Sequence, residues 1–354
     1  MIRYGEETAF VQAEIQRNRE GSADLQVTVY QNDKKSVQIN GLKKPRVLDM
    51  LGEFNAVYFG SPDMAIVCGE PEDRRHFLNV EISQISPRYV YDLGRYKRIL
   101  SQRNRLLRDL RDYSKSDNSG LEIWTEQLIH YGAAIFDKRR FYTARLAPLA
   151  DAAHRELSDG RESLELIYTP GISIPESEFS VRENRNEERY IAAVELELEQ
   201  TITPKLSAAA ERMAHAFHTH LKKVHTEELR RGATLGGPQR DDLLILINGK
   251  DARLYGSQGQ QRTAALAIKL AEFRLIEDYV GEAPVLLLDD VMSDLDDNRS
   301  GRLLSWTSGR CQIFLTCTSL RPFSKVILAS ASHFHVAEGQ VIRREPAETE
   351  PIHE

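Results

Sequence analysis

The chain has 354 residues and a mass of 40.3 kDa, room for about two domains of roughly 150 residues and a sizeable core. With 41% apolar and 28% charged residues, it reads as neither a disordered nor a membrane-spanning chain. Its formal charge of −6 means that any nucleic-acid role must rest on a local basic patch. The cysteines Cys68, Cys311 and Cys317 form no C-x-x-C pair, and no apolar segment follows Met1, so a reducing, cytoplasmic location is expected and no membrane.

The first stretch alternates apolar and polar residues over Ala9–Ile15 and Leu25–Tyr30, predicting antiparallel strands. Ser36–Ile39 runs into Asn40-Gly41, a tight-turn dipeptide. A short helix over Val47–Leu51 and a strand over Ala56–Phe59 follow. Helical spacing then dominates, over Arg88–Tyr113 and Leu121–Leu157, with a short strand at Leu164–Tyr168. Thr169–Glu178 is a proline-broken loop, and helix returns over Tyr190–Leu229 with a kink or break at Pro204. Leu243–Ile247 is a strand ending in Asn248-Gly249, and Ala252–Tyr255 reads as its partner strand. A helix over Arg262–Tyr279, a buried strand at Val285–Leu288, a helix over Asp297–Thr307 and a strand at Gln312–Thr316 come next. Val326-Ile327 and Phe334–Val336 read as closing strands.

This order predicts α/β structure at both ends with a helical block inserted between them. Residues 1–72 form a β-rich part of one lobe, 73–231 the helical lobe, and 232–343 the rest of the first lobe. Residues 344–354 form an acidic tail expected to be disordered.

Two motifs carry chemistry. Val285–Leu288 followed by Asp289-Asp290 puts two carboxylates at the C-terminal end of a strand buried on both faces, where α/β sheets hold ligands. One carboxylate there could hold Mg²⁺ and its neighbour could activate a water; the plain alternative is a pair of turn caps. The second motif, Gly256-Ser257-Gln258-Gly259-Gln260-Gln261, opens a helix whose free N–H groups suit a phosphate, or is an ordinary capped loop. Ser257 and Asp289 stand 32 residues apart, joined by a helix apolar nearly all round, and Ser293-Asp294-Leu295-Asp296 follows.

S-x-G-Q-Q before a buried helix, then four apolar residues with D-D, then S-x-L-D, resembles the second half of an ABC-type ATPase head, the group that includes the SMC proteins. Phe59-Gly60-Ser61-Pro62-Asp63, Asp73–Leu78, Arg103-Asn104, Leu146-Ala147-Pro148 and Gly237–Leu243 extend the resemblance to the RecF family over nearly the whole chain, Ile2 to about Ile342. It implies an α/β P-loop NTPase fold of ABC type, with an incomplete lobe I and an inserted, mostly helical lobe II. It implies ATP and Mg²⁺ as cofactors. Asp289 would be the Mg²⁺ carboxylate and Asp290 the catalytic acid. Ser257, Gly259 and Gln260 would be the signature motif that meets the γ-phosphate held by the other subunit. Ser293, Asp294 and Asp296 would be the D-loop at the dimer interface, and Thr316 or Thr318 would lie near the switch position.

The implied function is ATP-dependent binding to double- and single-stranded DNA at gap junctions, in replication, recombinational repair and the SOS response. An ATP-dependent homodimer would help load the recombinase with RecR and RecO. The long uninterrupted heptads of SMC arms have no counterpart in the short helical insert. Two departures stand out. Gln239 occupies a position where the family pattern carries His, and no G-x-x-x-x-G-K-[ST] occurs in the chain, whose Gly249-Lys250 pair lies in a hairpin turn. The chain reads as lacking a P-loop segment that precedes Ile2 in the family. That absence predicts no ATP hydrolysis by this chain alone, and opens the alternative of a non-hydrolysing piece that binds only DNA or a partner protein. It also predicts unpaired edges on the strands at Val285–Leu288 and Gln312–Thr316.

Arg88, Arg95, Lys97, Arg98, Arg103 and Arg105 interleave with Tyr89, Tyr91 and Tyr96 and could track a DNA backbone. The alternative is a solvated helix face with tyrosines packed inward. His215, His218 and His225 share one helical face and read as a polar stripe.

Overall fold

The structure, a computed structural model, describes residues 2–17, 21–32, 34–113, 119–174, 206–295, 297–307, 309–320 and 323–344. The chain opens with an antiparallel meander of β1 (Thr8–Arg17), β2 (Gly21–Tyr30), β3 (Lys35–Ile39) and β4 (Leu42–Lys44). Asn40 and Gly41 make the β3–β4 turn at φ 51° and 74°, the left-handed backbone that a two-residue hairpin requires. Ala23, Leu25, Val37 and Ile39 are buried, while Phe10 and Val11 on β1 are exposed.

β5 (Ala56–Phe59) leads into α1 (Ala65–Cys68), α2 (Pro71–Ile85), α3 (Pro87–Tyr113) and α4 (Ser119–Leu157). β6 (Leu164–Thr169) and α5 (Ala208–Arg231) follow; the predicted helix from Tyr190 and the Pro204 break fall outside the described residues up to Leu206. β6 pairs antiparallel with β7 (Asp242–Ile247), which pairs with β8 (Lys250–Asp251). The last part holds α6 (Ala252–Tyr255), α7 (Gln258–Val280), β9 (Val285–Asp289), α8 (Asp297–Thr307), β10 (Ile313–Thr316), α9 (Lys325–Ser330) and the hairpin β11 (His333–Ala337)–β12 (Gln340–Arg344). The acidic tail from 345 lies outside the described residues.

β9 is the centre of a parallel sheet in the order β10-β9-β5. Ala56 to Phe59 register with Val285 to Leu288, and Ile313 to Thr316 with Leu286 to Asp289. The expectation of an unpaired edge on β9 is thereby corrected: both its sides are paired, and among the described residues the open edges belong to β5 and β10. α7 packs beneath, buried on nearly every side from Thr263 to Ile276, as its apolar sequence requires. One hydrophobic core runs from Val57 and Phe59 through α2 to α5 and α7 to Leu303.

Two further expectations are corrected. Ala252–Tyr255 is a helical turn, because the Asp251 carboxylate accepts from the Arg253 and Leu254 N–H groups at 2.8 and 3.2 Å and starts a helix straight after the hairpin. Val326-Ile327 lies in α9, capped by the Ser324 hydroxyl that accepts from the Ile327 N–H.

Candidate functional site

Asp289 ends β9 where the strand leaves the sheet. Its Oδ1 accepts from the Thr316 hydroxyl at 2.6 Å and its Oδ2 from the Tyr58 hydroxyl at 3.0 Å. The two hydroxyls, Thr316 first, hold the carboxyl below the usual carboxylate range, so Asp289 is ionised at neutral pH. Burial and the facing carboxylate push the Tyr58 hydroxyl up, which keeps it a donor. Thr316 also accepts from the Asp290 N–H at 3.0 Å. That bond holds Asp290 at φ 53°, ψ 28°, a left-handed conformation that Asp tolerates and that turns its side chain out of the strand's alternation. Of the two threonines expected near the switch, Thr316 is the one bonded to both aspartates.

Gly60 closes the opposite wall. A Cβ there would stand 2.4 Å from the Tyr58 hydroxyl and 3.3 Å from the Asp289 Cβ, so a side chain at this position would push Tyr58 off the carboxylate. A small cavity at this point is lined by Phe59, Gly60, Ser61, Arg262, Asp289 and Leu295, among others. The Gly60 N–H donates to the Asp63 carboxylate at 2.9 Å. Deeper, Lys269 pairs with Glu272 and with Glu81 at 3.2 Å, tying α7 to α2.

Ser257 caps α7. Its hydroxyl accepts from the Gln260 N–H at 3.3 Å, and its own N–H donates to the Gln260 carboxamide oxygen at 2.9 Å, a complete capping box. A Cβ on Gly259 would meet Arg299 Nη1 at 3.7 Å. Ser257 and Gly259 do not line the Asp289 cavity, whereas Arg262, one turn on, does. Ser293 and Asp294 fall in the 3-10 turn Val291–Asp294 beside the buried Val291 and Met292. The side chains of Ser293 and Asp294, and the whole of Asp296, lie outside the described residues.

The basic row on α3 divides. Arg95, Lys97, Arg98 and Arg105 are exposed; Arg95 stacks over the exposed Tyr91 at 5.3 Å, while Tyr89 and Tyr96 pack inward. Arg88 is half-buried and paired with Asp92 at 2.8 Å. Arg103 is a correction. It is 1% exposed, bonded to Glu228 at 2.7 and 3.1 Å and to Thr234 at 2.8 Å, so it fastens α3 to α5 and is closed to DNA. Gln239 accepts from the Tyr96 hydroxyl and donates to the Gly236 carbonyl at 2.9 Å, so its carboxamide is used within the loop. His220, outside the predicted stripe, accepts from the Ser173 N–H at 3.2 Å.

Sequence reasoning missed Tyr58, the approach of Gly60 to the carboxylate (it stood only as part of a family motif), and Arg262. The first two reach Asp289 only through the β5–β9 pairing, which leaves no local trace; Arg262, one turn past the Ser257 cap, could have been read from helical spacing.

The relatives decide the family. A DNA replication and repair protein RecF from Oceanobacillus iheyensis is 37% identical over 341 residues, 96% of this chain and 84% of the relative. The chain belongs to the RecF family. RecF from Halothermothrix orenii is 38% identical over 97% of this chain and 83% of its own length. A solved structure of the recombination mediator protein RecF, described as RecF-ATPrS in the RecFOR pathway, superposes with a TM-score of 0.78 at 31% identity, covering 97% of this chain and 82% of that one; another is RecF-ATP, at a TM-score of 0.77. No protein-family model matches the chain. The ABC-type α/β fold expected from the motifs is the RecF fold found here. Among the described residues, no helix is long and apolar enough to cross a membrane.

Proposed function

We propose that this chain acts as a RecF-type protein that binds DNA at single-strand gaps and junctions under the control of ATP, in replication, recombinational repair and the SOS response, with RecR and RecO as partners and a homodimer as the ATP-bound state. The observation that carries the reading is Asp289. It is an exposed, ionised carboxylate at the C-terminal end of a central parallel strand, oriented by Tyr58 and Thr316. Such an oxygen ligand fits Mg²⁺. Among the described residues no cluster of three or more His, Cys, Asp or Glu side chains could hold a metal, so a cation there would complete its shell with phosphate oxygens and water. When bound, ATP with its cation would supply the free energy that closes and opens the dimer.

This chain's own residues then have separate tasks. Asp289 fixes the cation, and Asp290, next to it, orients or deprotonates the attacking water. Ser257, Gly259 and Gln260 face the phosphate end held by the partner. Ser293, Asp294 and Asp296 line the dimer seam. Residues 73–231, from the third residue of α2 to the end of α5, form the second lobe, and Arg95, Lys97, Arg98 and Arg105 offer the DNA a cationic row on α3.

Fluorescence anisotropy with a gapped duplex tests the DNA reading. Binding should weaken when Arg98 and Arg105 are replaced by Ala, and the salt dependence should flatten by a slope of about one for each DNA phosphate no longer neutralised. Equal affinity of wild type and the double variant would exclude this face. A second reading is favoured by the 354-residue sequence, which holds no G-x-x-x-x-G-K-[ST]: the chain binds DNA or a partner without hydrolysing ATP. ATP-independent binding to gapped DNA by the chain alone would support it.

A further inference from the structure

α4 ends in a tight corner, with Asp159 at φ 59° and Gly160 at φ 70°, that turns the chain into β6. Glu162 follows the corner and its carboxylate faces two groups. Oε1 accepts from the Gln260 carboxamide nitrogen at 2.8 Å. Oε2 lies 3.3 Å from Nε2 of His154, whose side chain is fully buried. A carboxylate only accepts hydrogen bonds, so it decides which way the Gln260 amide faces. The nitrogen must turn to Glu162, and the oxygen is left for the Ser257 N–H at 2.9 Å. A backbone N–H gives one strong hydrogen bond at a time. The Ser257 N–H is therefore taken from within the chain, at the very motif that would meet the partner's phosphate.

We propose that Glu162 is a positioning residue for the signature motif, locking the Gln260 amide so that the Ser257 N–H stays capped until a phosphate displaces it. The proposal rests on the signature reading of Ser257, Gly259 and Gln260. The corner also grips the helix after the D-loop segment, since Arg302 on α8 donates to the Glu156 carbonyl and to the Asp159 carboxylate. A shift of the α4 end thus reaches the signature motif and α8 together.

Hydrogen exchange of the full chain, read at the Ser257 amide from overlapping peptides, tests the lock. Glu162→Ala should speed exchange there about tenfold, the loss of one hydrogen bond of ordinary net worth. Gln260→Ala should do the same, and the double variant should exchange no faster than either. Glu162→Gln keeps an acceptor and should restore most of the protection. A merely structural Glu162 would loosen β6 as well and add to Gln260→Ala. Unchanged exchange at Ser257 in Glu162→Ala, or additive effects, would overturn the proposal. Inorganic tripolyphosphate separates it from the reading beneath it. Stronger slowing of Ser257 exchange in Glu162→Ala than in wild type supports the lock as a competitor of phosphate. No slowing in either overturns the phosphate-facing reading and the displacement half of the proposal, while the variants alone decide whether Glu162 positions Gln260.

Discussion

At Thr316 one hydroxyl both donates to the Asp289 carboxylate and accepts from the Asp290 N–H. Replacing it by Val removes both bonds, and the Asp289 carboxyl should then titrate closer to its ordinary value, as a carboxyl-carbon NMR titration would show; an unmoved titration would leave Tyr58 as the group that matters. A native pKa below the unfolded value of about 3.9 means that these bonds stabilise fully above that value and cease to do so as the pH falls through the native pKa. On α3, Arg103→Ala should cost about 3–5 kcal/mol in urea unfolding, because it strands the buried Glu228 carboxylate. Arg98→Ala, at an exposed site, should leave stability within about 0.5 kcal/mol and act on DNA affinity alone. The place of Asp289 and Asp290 at the end of β9 was legible in the sequence because an apolar run ending in two carboxylates is a local pattern. Arg103 was not, because its partner lies 125 residues away, and spacing along one helix places a residue on a face without saying what covers that face.

Gly132 on α4 faces one ring from α5 and one from α3. A Cβ there would stand 2.7 Å from a Phe217 ring carbon and 3.1 Å from one of Tyr96, and both rings are buried. Gly132→Ala should therefore destabilise the helical bundle by about 1–3 kcal/mol despite Ala's better helix propensity; equal or greater stability by thermal or urea unfolding would show that the rings yield freely. Long elements such as α3 and α4 were legible because their apolar period repeats over several turns, and α7 because its apolar run is too long for a strand. The short ones were not. Ala252–Tyr255 and Val326-Ile327 hold apolar residues that suit a strand as well as one helical turn, and the choice was made by single caps at Asp251 and Ser324. The start of α7 shows the same effect. Ser257 begins the helix before its apolar run does, so the run alone placed the first turn too late.

Across the whole molecule, β9 lies between β5 and β10, and the stretch from β10 to β12 carries apolar side chains that are poorly covered. Phe314 on β10, Val326 on α9, and Phe334 and Val336 on β11 are each more than half exposed. An open strand edge and exposed apolar side chains each favour association. The 354-residue chain should thus exchange its β10 amides well before those of β9 and α7, and form concentration-dependent oligomers in sedimentation; a monomer with equal protection of β9 and β10 would count against this. The sequence holds no phosphate loop of the Walker type, so labelled-ATP binding by this chain alone should be weaker than micromolar, and micromolar affinity would refute that expectation. The pairing of β5 with β9 has a further consequence during synthesis. Tyr58 and Asp289 are 231 residues apart, so the strand bearing Tyr58 leaves the ribosome long before its partner exists. At about 5–20 residues per second, β5 must wait on the order of ten seconds or more without its neighbour. α2, α3 and the first half of α4 can meet one another in that interval, whereas the pocket around Asp289 can close only after nearly the whole chain has emerged.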